Sequence, residues 1–223
     1  GPACVWIPYA WGRCVNGLVW CNTGGRFGPF EGQIFLAELM FGGAILRANV
    51  ERVNGVMQGA CFPFWGKGLM GPLTMTFDPR GRLYVGSITE PGWMAQPDRG
   101  ALFRIDWTGE VPFEIRSIHA QPSGFRLVFT NAVDPRTAAD AASYVVEHYR
   151  YELTGAYGSP ELDRTRVEVR KALLSANGGE VELVLPPLVK DRVYRIAARG
   201  VRSPQGAPLL HPEGAYTLNE IPR

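Results

Sequence analysis

Apolar and polar positions along this chain alternate with a period of two in many short runs separated by glycine, proline and aspartate. The period-two pattern predicts half-buried β-strands. In the first half it falls on residues 15–20, 33–36, 44–50, 73–77, 83–87 and 101–106. The clearest unit is Leu73-Thr-Met-Thr-Phe77, then Asp78-Pro-Arg-Gly81, then Arg82-Leu-Tyr-Val-Gly86. Two alternating runs there flank a turn with proline second and glycine fourth, the type I preference. In the second half the pattern predicts strands over 114–119, 124–129, 144–151, 166–174, 180–185, 192–198 and 215–218. Asn177-Gly178 is a hairpin signal, because both residues tolerate positive φ. The Ala-rich stretch 134–142 predicts a single helical turn.

Composition divides this β pattern in two. All six tryptophans, all four cysteines and 19 of the 27 glycines precede residue 111, while charge is evenly spread. Residues 1–112 are therefore expected to form one domain and 113–223 a second. Short antiparallel strands with glycine turns and aromatic anchors are the pattern of propeller blades, too few here for a closed ring. Seven strands in the remaining residues match an immunoglobulin- or fibronectin-like β-sandwich. The expected fold is all-β, partial β-propeller-like sheets followed by that sandwich.

Charge and cysteine usage narrow the function classes. A net charge of +2, from 23 basic and 21 acidic residues, leaves no electrostatic footprint for nucleic acid. No apolar run reaches the ~20 residues that span a bilayer, so no transmembrane span is expected. Cys4, Cys14, Cys21 and Cys61 are even in number and allow three pairings into two disulfides. That points to a stapled region in an oxidising compartment, periplasmic or extracellular. Buried thiols are the alternative. Cys4 also follows a small residue, as a lipidated cysteine would.

Several motifs occur in a fixed order: Gly28-Pro-Phe-Glu-Gly-Gln33, Val53-Asn-Gly-Val-Met-Gln-Gly-Ala60, Gly71-Pro-Leu, Asp78-Pro-Arg-Gly-Arg-Leu-Tyr-Val-Gly86, Gly124-Phe-Arg-Leu-Val-Phe-Thr130, Val133-Asp134, Ser143-Tyr144, Tyr157-Gly-Ser-Pro160 and Tyr216-Thr-Leu-Asn-Glu-Ile-Pro222. Over nearly the whole chain this set resembles the C-terminal part of secreted bacterial proteins related to the soluble quinoprotein glucose/sorbosone dehydrogenases. The resemblance implies a six-bladed propeller, an immunoglobulin-like domain and, in some members, a cytochrome c module. In those enzymes the quinone takes ligands from many blades. This chain has room for two or three, so no catalytic or cofactor residue carries over.

Individual candidates for chemistry are weak. None of His119, His148 and His211 has a second histidine or a cysteine at metal-ligand spacing. Glu161 and Asp163 suit calcium but lack the regular acidic spacing. Asp78 and Asp134 stand beside proline, where a carboxylate usually closes a turn. Gly12, Gly17, Gly24 and Gly25 form no phosphate cradle, and no Gly-x-Ser-x-Gly elbow is present. No cofactor, metal or catalytic residue is expected, and the chain is expected not to be an enzyme.

The aromatic residues carry more weight. Trp6, Tyr9, Trp11, Trp20, Phe27, Phe30 and Trp65 crowd the first 65 residues. With too few blades to bury them, some should stay exposed and mark a protein interface. The expected function is a non-catalytic accessory or scaffold subunit of a periplasmic or extracellular assembly. A membrane-bound electron-transfer complex, respiratory or photosynthetic, is the favoured host, and other protein subunits are the partners, with a membrane-peripheral position. The alternatives are a fragment of a quinoprotein-like sugar dehydrogenase and a glycan-binding module.

Overall fold

The computed structural model describes residues 1–39, 43–66, 68–89, 97–152, 154–155 and 158–223. It is all-β, with 48% strand against 3% helix, and none of its antiparallel sheets closes into a barrel. Tyr157, in one of the ordered motifs above, lies outside the described residues. Fifteen strands are described in chain order: β1 Val15–Trp20, β2 Ile34–Glu38, β3 Ala44–Val53, β4 Val56–Trp65, β5 Gly71–Phe77, β6 Leu83–Thr89, β7 Arg99–Ile105, β8 Ile115–Gln121, β9 Gly124–Phe129, β10 Val145–Arg150, β11 Leu162–Val167, β12 Lys171–Leu174, β13 Glu180–Val184, β14 Arg192–Ala197 and β15 Glu213–Leu218. One helical turn, α1, covers Pro135–Ala138, and a 3-10 turn follows at Ala141–Ser143.

The chain clusters into two compact units, which the chain enters more than once. The amino unit comprises Ile7–Ala48 and Phe62–Glu110, and the carboxyl unit comprises Gly1–Trp6, Asn49–Cys61 and Val111–Arg223. Residues 49–61 belong with the carboxyl unit for a visible reason: Gly59, Ala60 and Cys61 of β4 pair with Thr217, Tyr216 and Ala215 of β15. The hairpin that carries them turns at Asn54 and Gly55, with φ of 48° and 86°. Positive φ at both central residues is the type I′ requirement, and Asn-Gly meets it cheaply.

In the amino unit β1, β2 and β3 pair in that order, as do β5, β6 and β7. The β5–β6 turn forms where the sequence predicts it. The Asp78 carboxylate accepts the Arg80 and Arg82 N–H groups at 2.9 Å, and Gly81 takes φ of 80°. Phe35, Ala37 and Ile45 pack with Met75, Leu83 and Val85, around Phe27 and Phe30. The rings meet edge-on: Phe35 lies 4.9 Å from Phe64 and 5.6 Å from Phe27. That is the geometry their opposed quadrupoles favour.

In the carboxyl unit β4, β15, β14, β10 and β11 form one sheet in that order, and β12, β13, β9 and β8 form another. Their inner faces meet at Phe125, whose ring sits 5.0 Å from Tyr194 and 5.1 Å from Tyr216. Asp134 caps α1 by accepting from Arg136 and Thr137 N–H. Its carboxyl is held below the usual range, first by the Thr137 N–H bond. The hairpin at Asn177-Gly178 joins β12 to β13, with Ser175 N–H bonded to Glu180 O. The expected single strand over 166–174 is instead two pieces in different sheets, β11 and β12. Most of this segment is exposed on both faces, so its alternation marks no register.

The expected disulfides are absent: Cys4, Cys14, Cys21 and Cys61 are all free thiols. Cys14 and Cys21 stand at opposite ends of the extended β1. Six intervening residues at ~3.3 Å each put them far beyond bridging distance. Cys61 is fully buried, its Sγ facing Trp6 O and Ala215 O, and burial pushes its thiol up to about 12. Cys21 is also buried, beside Thr23 and Glu31, with its thiol raised chiefly by desolvation. Both pack as small hydrophobes.

Candidate interaction surface

The sheet β1-β2-β3 has two faces, and its register assigns every side chain to one of them. Val19, Phe35 and Arg47 are cross-strand partners, as are Ala37 and Ile45; these face the core. Trp20, Ile34 and Ala48 share the opposite face with Leu18, Leu36 and Leu46. Both faces are therefore apolar, which in a solvated sheet demands a cover on each side.

The second face is only partly covered. Residues 8–14 lie over its Leu46 end. The Glu38 carboxylate, fully buried, accepts Arg13 N–H at 3.1 Å and Cys14 N–H at 3.0 Å. Cys14 O in turn accepts Leu39 N–H at 3.0 Å. Gly12 makes this fit, since a Cβ there would lie 2.8 Å from Glu38 Oε2 and 3.4 Å from Leu46 Cδ1. At the other end the cover stops, leaving Leu18 69% and Trp20 48% exposed. Trp65 at the end of β4 is 43% exposed, and Leu102 on β7 is 72% exposed.

The seven aromatic candidates separate under this geometry. Phe27 and Phe30 are not surface residues: they are core, because the glycine-rich loop 21–33 folds their rings inward onto Phe35. Phe30 also lies 4.3 Å beneath the fully buried Arg47 guanidinium. Trp6 is half-buried in the carboxyl unit, with its ring 5.4 Å from Tyr151 and its backbone N–H donated to Thr217 Oγ1. Tyr9 is half-buried under Arg13, 4.0 Å away, and Trp11 is half-buried in the covering segment. Trp20 and Trp65 remain as exposed aromatics of the set.

The polar candidates have structural partners. Asp163 pairs with Arg150 at 2.6 Å, and Glu161 pairs with Arg164. His211 Nδ1 lies 3.0 Å from the buried Glu114 carboxylate. His148 stands edge-on to Tyr194, and desolvation followed by the Arg192 charge lowers its pKa. Among the described residues no group of three His, Cys, Asp or Glu could hold a metal ion, and no helix is long and apolar enough to cross a membrane.

One arrangement has no counterpart in the sequence reading. His119 lies between Glu51 and Ser117, within hydrogen-bond distance of both. Ser117 and His119 are two apart on one strand, a visible signal, but Glu51 lies far away in the chain and only the fold delivers it.

Comparison with known proteins adds little. No family model matches, and no curated protein matches. Among solved structures, the N-terminal part of the bacterial S-layer protein SbsC is similar at 18% identity and a TM-score of 0.36. The match covers 48% of this chain and 24% of that one.

Proposed function

We propose that this chain is an accessory or scaffold subunit of a periplasmic or extracellular assembly and that it docks through the amino unit. The observation that carries the reading is the half-covered apolar face of β1-β2-β3. Leu18 and Trp20 continue a row that is buried at Leu36 and Leu46, then emerges into solvent. Covering the rest of such a face releases water from apolar area at roughly 25 cal/mol per Å². Trp is also the residue type most enriched at binding hot spots. β1 itself carries no charge and no proline, the usual devices against strand association. An apolar segment of a partner subunit is the occupant this surface suits.

The finer fold reading supports the same role. We read the amino unit as propeller-like sheets and the carboxyl unit as an immunoglobulin-like sandwich. Tyr144 favours the latter, since its hydroxyl reaches back to Ala138 O at 2.7 Å, as a tyrosine corner does. Membrane-bound electron-transfer complexes are the favoured hosts, on resemblance alone. The test is native electrophoresis of the host's membrane complexes after adding tagged chain to material depleted of it. Co-migration with one complex, lost in Leu18→Ser/Trp20→Ser and kept in Thr76→Ala, supports the reading. Migration of the wild-type chain alone overturns it.

A further inference from the structure

Strand β8 in the carboxyl unit has an inner and an outer face. Ile118 and Ala120 point inward and are buried. Ser117 and His119 stand on the other face, and His119 pairs across the ladder with Arg126 of β9. The unpaired edge of β8 is met by side chains from β3. Asn49 Oδ1 accepts Ile118 N–H at 3.1 Å and its Nδ2 donates to Ile118 O at 3.0 Å. Glu51 Oε1 accepts Ala120 N–H at 2.9 Å.

Capping the strand edge accounts for Glu51 Oε1 but not for the other carboxylate oxygen. Glu51 Oε2 lies 2.9 Å from His119 Nδ1, and His119 Nε2 lies 3.0 Å from Ser117 Oγ. Burial alone would raise the Glu51 pKa, but hydrogen bonds from His119, Tyr216 and Ala120 more than offset it and hold the carboxylate below the usual range. An ionised carboxylate only accepts, so His119 Nδ1 carries a proton, and in the neutral imidazole Nε2 is then the acceptor facing the Ser117 hydroxyl. Carboxylate, imidazole and hydroxyl in that order are the parts of an activated serine. Ser117 itself is 8% exposed, on the outer side of its sheet.

A second, independent feature lies beside it. The Arg126 Nη1 group is engaged by Glu180 at 3.1 Å, whereas its Nε–H is buried without an acceptor. A buried donor nitrogen with no partner calls for an explanation, and this guanidinium, opposite His119 on the ladder and with its side chain 42% exposed, can offer a donor to negative charge as it develops.

We propose that Ser117 is a nucleophile for small carboxylic esters, with His119 as general base, Glu51 as the positioning residue for the imidazole, and Arg126 as the donor to the oxyanion. Ser117 Oγ bonds to the ester carbonyl carbon while its proton passes to His119 Nε2. The tetrahedral oxyanion is met by Arg126. The C–O bond to the alcohol then breaks, and the alcohol leaves with the proton from His119. Water, deprotonated by the same nitrogen, attacks the acyl carbon; the bond from that carbon to Ser117 Oγ breaks, His119 returns the proton to Oγ, and the carboxylic acid leaves. The site goes beyond the docking role, resides in the other unit and is tested without any partner.

The probe is diisopropyl fluorophosphate on the full chain, read by intact mass and peptide mapping. Ser117 Oγ displaces fluoride from phosphorus, so one adduct on Ser117 is expected, absent in Ser117→Ala. His119→Gln should slow labelling by about 100-fold or more, the range for loss of a general base. Glu51→Gln should slow it by about 10-fold, since an amide donating to Nδ1 favours the wrong tautomer. Arg126→Gln should slow acylation by p-nitrophenyl acetate by about 100-fold, with the circular dichroism spectrum unchanged. No adduct on folded wild-type protein, or equal labelling of wild type and folded His119→Gln, overturns the proposal and leaves the cluster an edge cap only.

Discussion

The buried aromatics of the carboxyl unit set Phe125 among tyrosines, of which Tyr144, Tyr194 and Tyr216 have hydroxyl partners, whereas those of the amino unit are phenylalanines. Tyr144 donates to Ala138 O, Tyr194 accepts Val189 N–H, and Tyr216 accepts from Gln58. Such a core is closed by directional bonds as well as by area. The amino core is closed by ring-on-ring contact among Phe27, Phe30, Phe35, Phe64 and Phe77. Its outer apolar face is left open at Leu18 and Trp20, and its exposed large side chains include Trp20, Trp65 and Trp107. Among the described residues no aromatic is an exposed large hydrophobic of the carboxyl unit. The difference teaches where each unit has finished burying itself: one has a complete core with a polar network, the other a complete core and an incomplete back.

The largest expected effect tests the two cores against each other. Phe125→Ala and Phe35→Ala each remove a fully buried ring, and each should cost about 3–5 kcal/mol in urea unfolding. A cost under about 1 kcal/mol for either would show that its core is looser than described.

Next comes the polar network of the carboxyl unit. Glu51→Gln should cost about 1–3 kcal/mol at pH 7, because it breaks the bonds to a largely buried carboxylate. The depressed pKa of Glu51 fixes the sign of its pH dependence. Its stabilisation is fully present above the ordinary carboxylate range, ~4.3, and fades as pH falls through the lower folded value. Glu213 behaves alike, since burial pushes it up but Arg199 and Arg195 hold it down by more. Wild type and Glu51→Gln should therefore converge as unfolding is followed from pH 7 to pH 3. A gap that widens in acid would contradict the assignment.

A smaller effect belongs to the tyrosine hydroxyl. Tyr144→Phe leaves Ala138 O without its side-chain donor and should cost about 1 kcal/mol. Thermal unfolding resolves such a loss.

How much of this was legible varies with the kind of signal. β5 and β6 were clear because alternation and an Asp-Pro-x-Gly turn agree, and the β12–β13 hairpin was clear from Asn177-Gly178. Strand β4 is not among the strands that alternation predicts, although Asn54-Gly55 announces its hairpin. Gly59 and Pro63 interrupt its apolar run, and only the structure shows why Gly59 is there. A Cβ at that position would fall 2.1 Å from Asn49 O. The surface was half legible. The density of aromatics in the first 65 residues pointed to the amino unit, but the division between core Phe27 and exposed Trp20 depends on register across β1-β2-β3. The Glu51–His119–Ser117 line was illegible for the same reason, being made by strands distant in sequence.

The smallest expected effect on folding goes with the largest on association. Leu18→Ser/Trp20→Ser should change unfolding free energy by no more than about 0.5 kcal/mol per site, since neither side chain is buried. The most direct measurement is hydrogen–deuterium exchange of the chain, free and in its native assembly. Protection on binding should concentrate in residues 15–20 of β1, with residues 162–167 of β11 unchanged. Protection confined to the carboxyl unit, with β1 exchanging as in the free chain, would contradict docking through the open face.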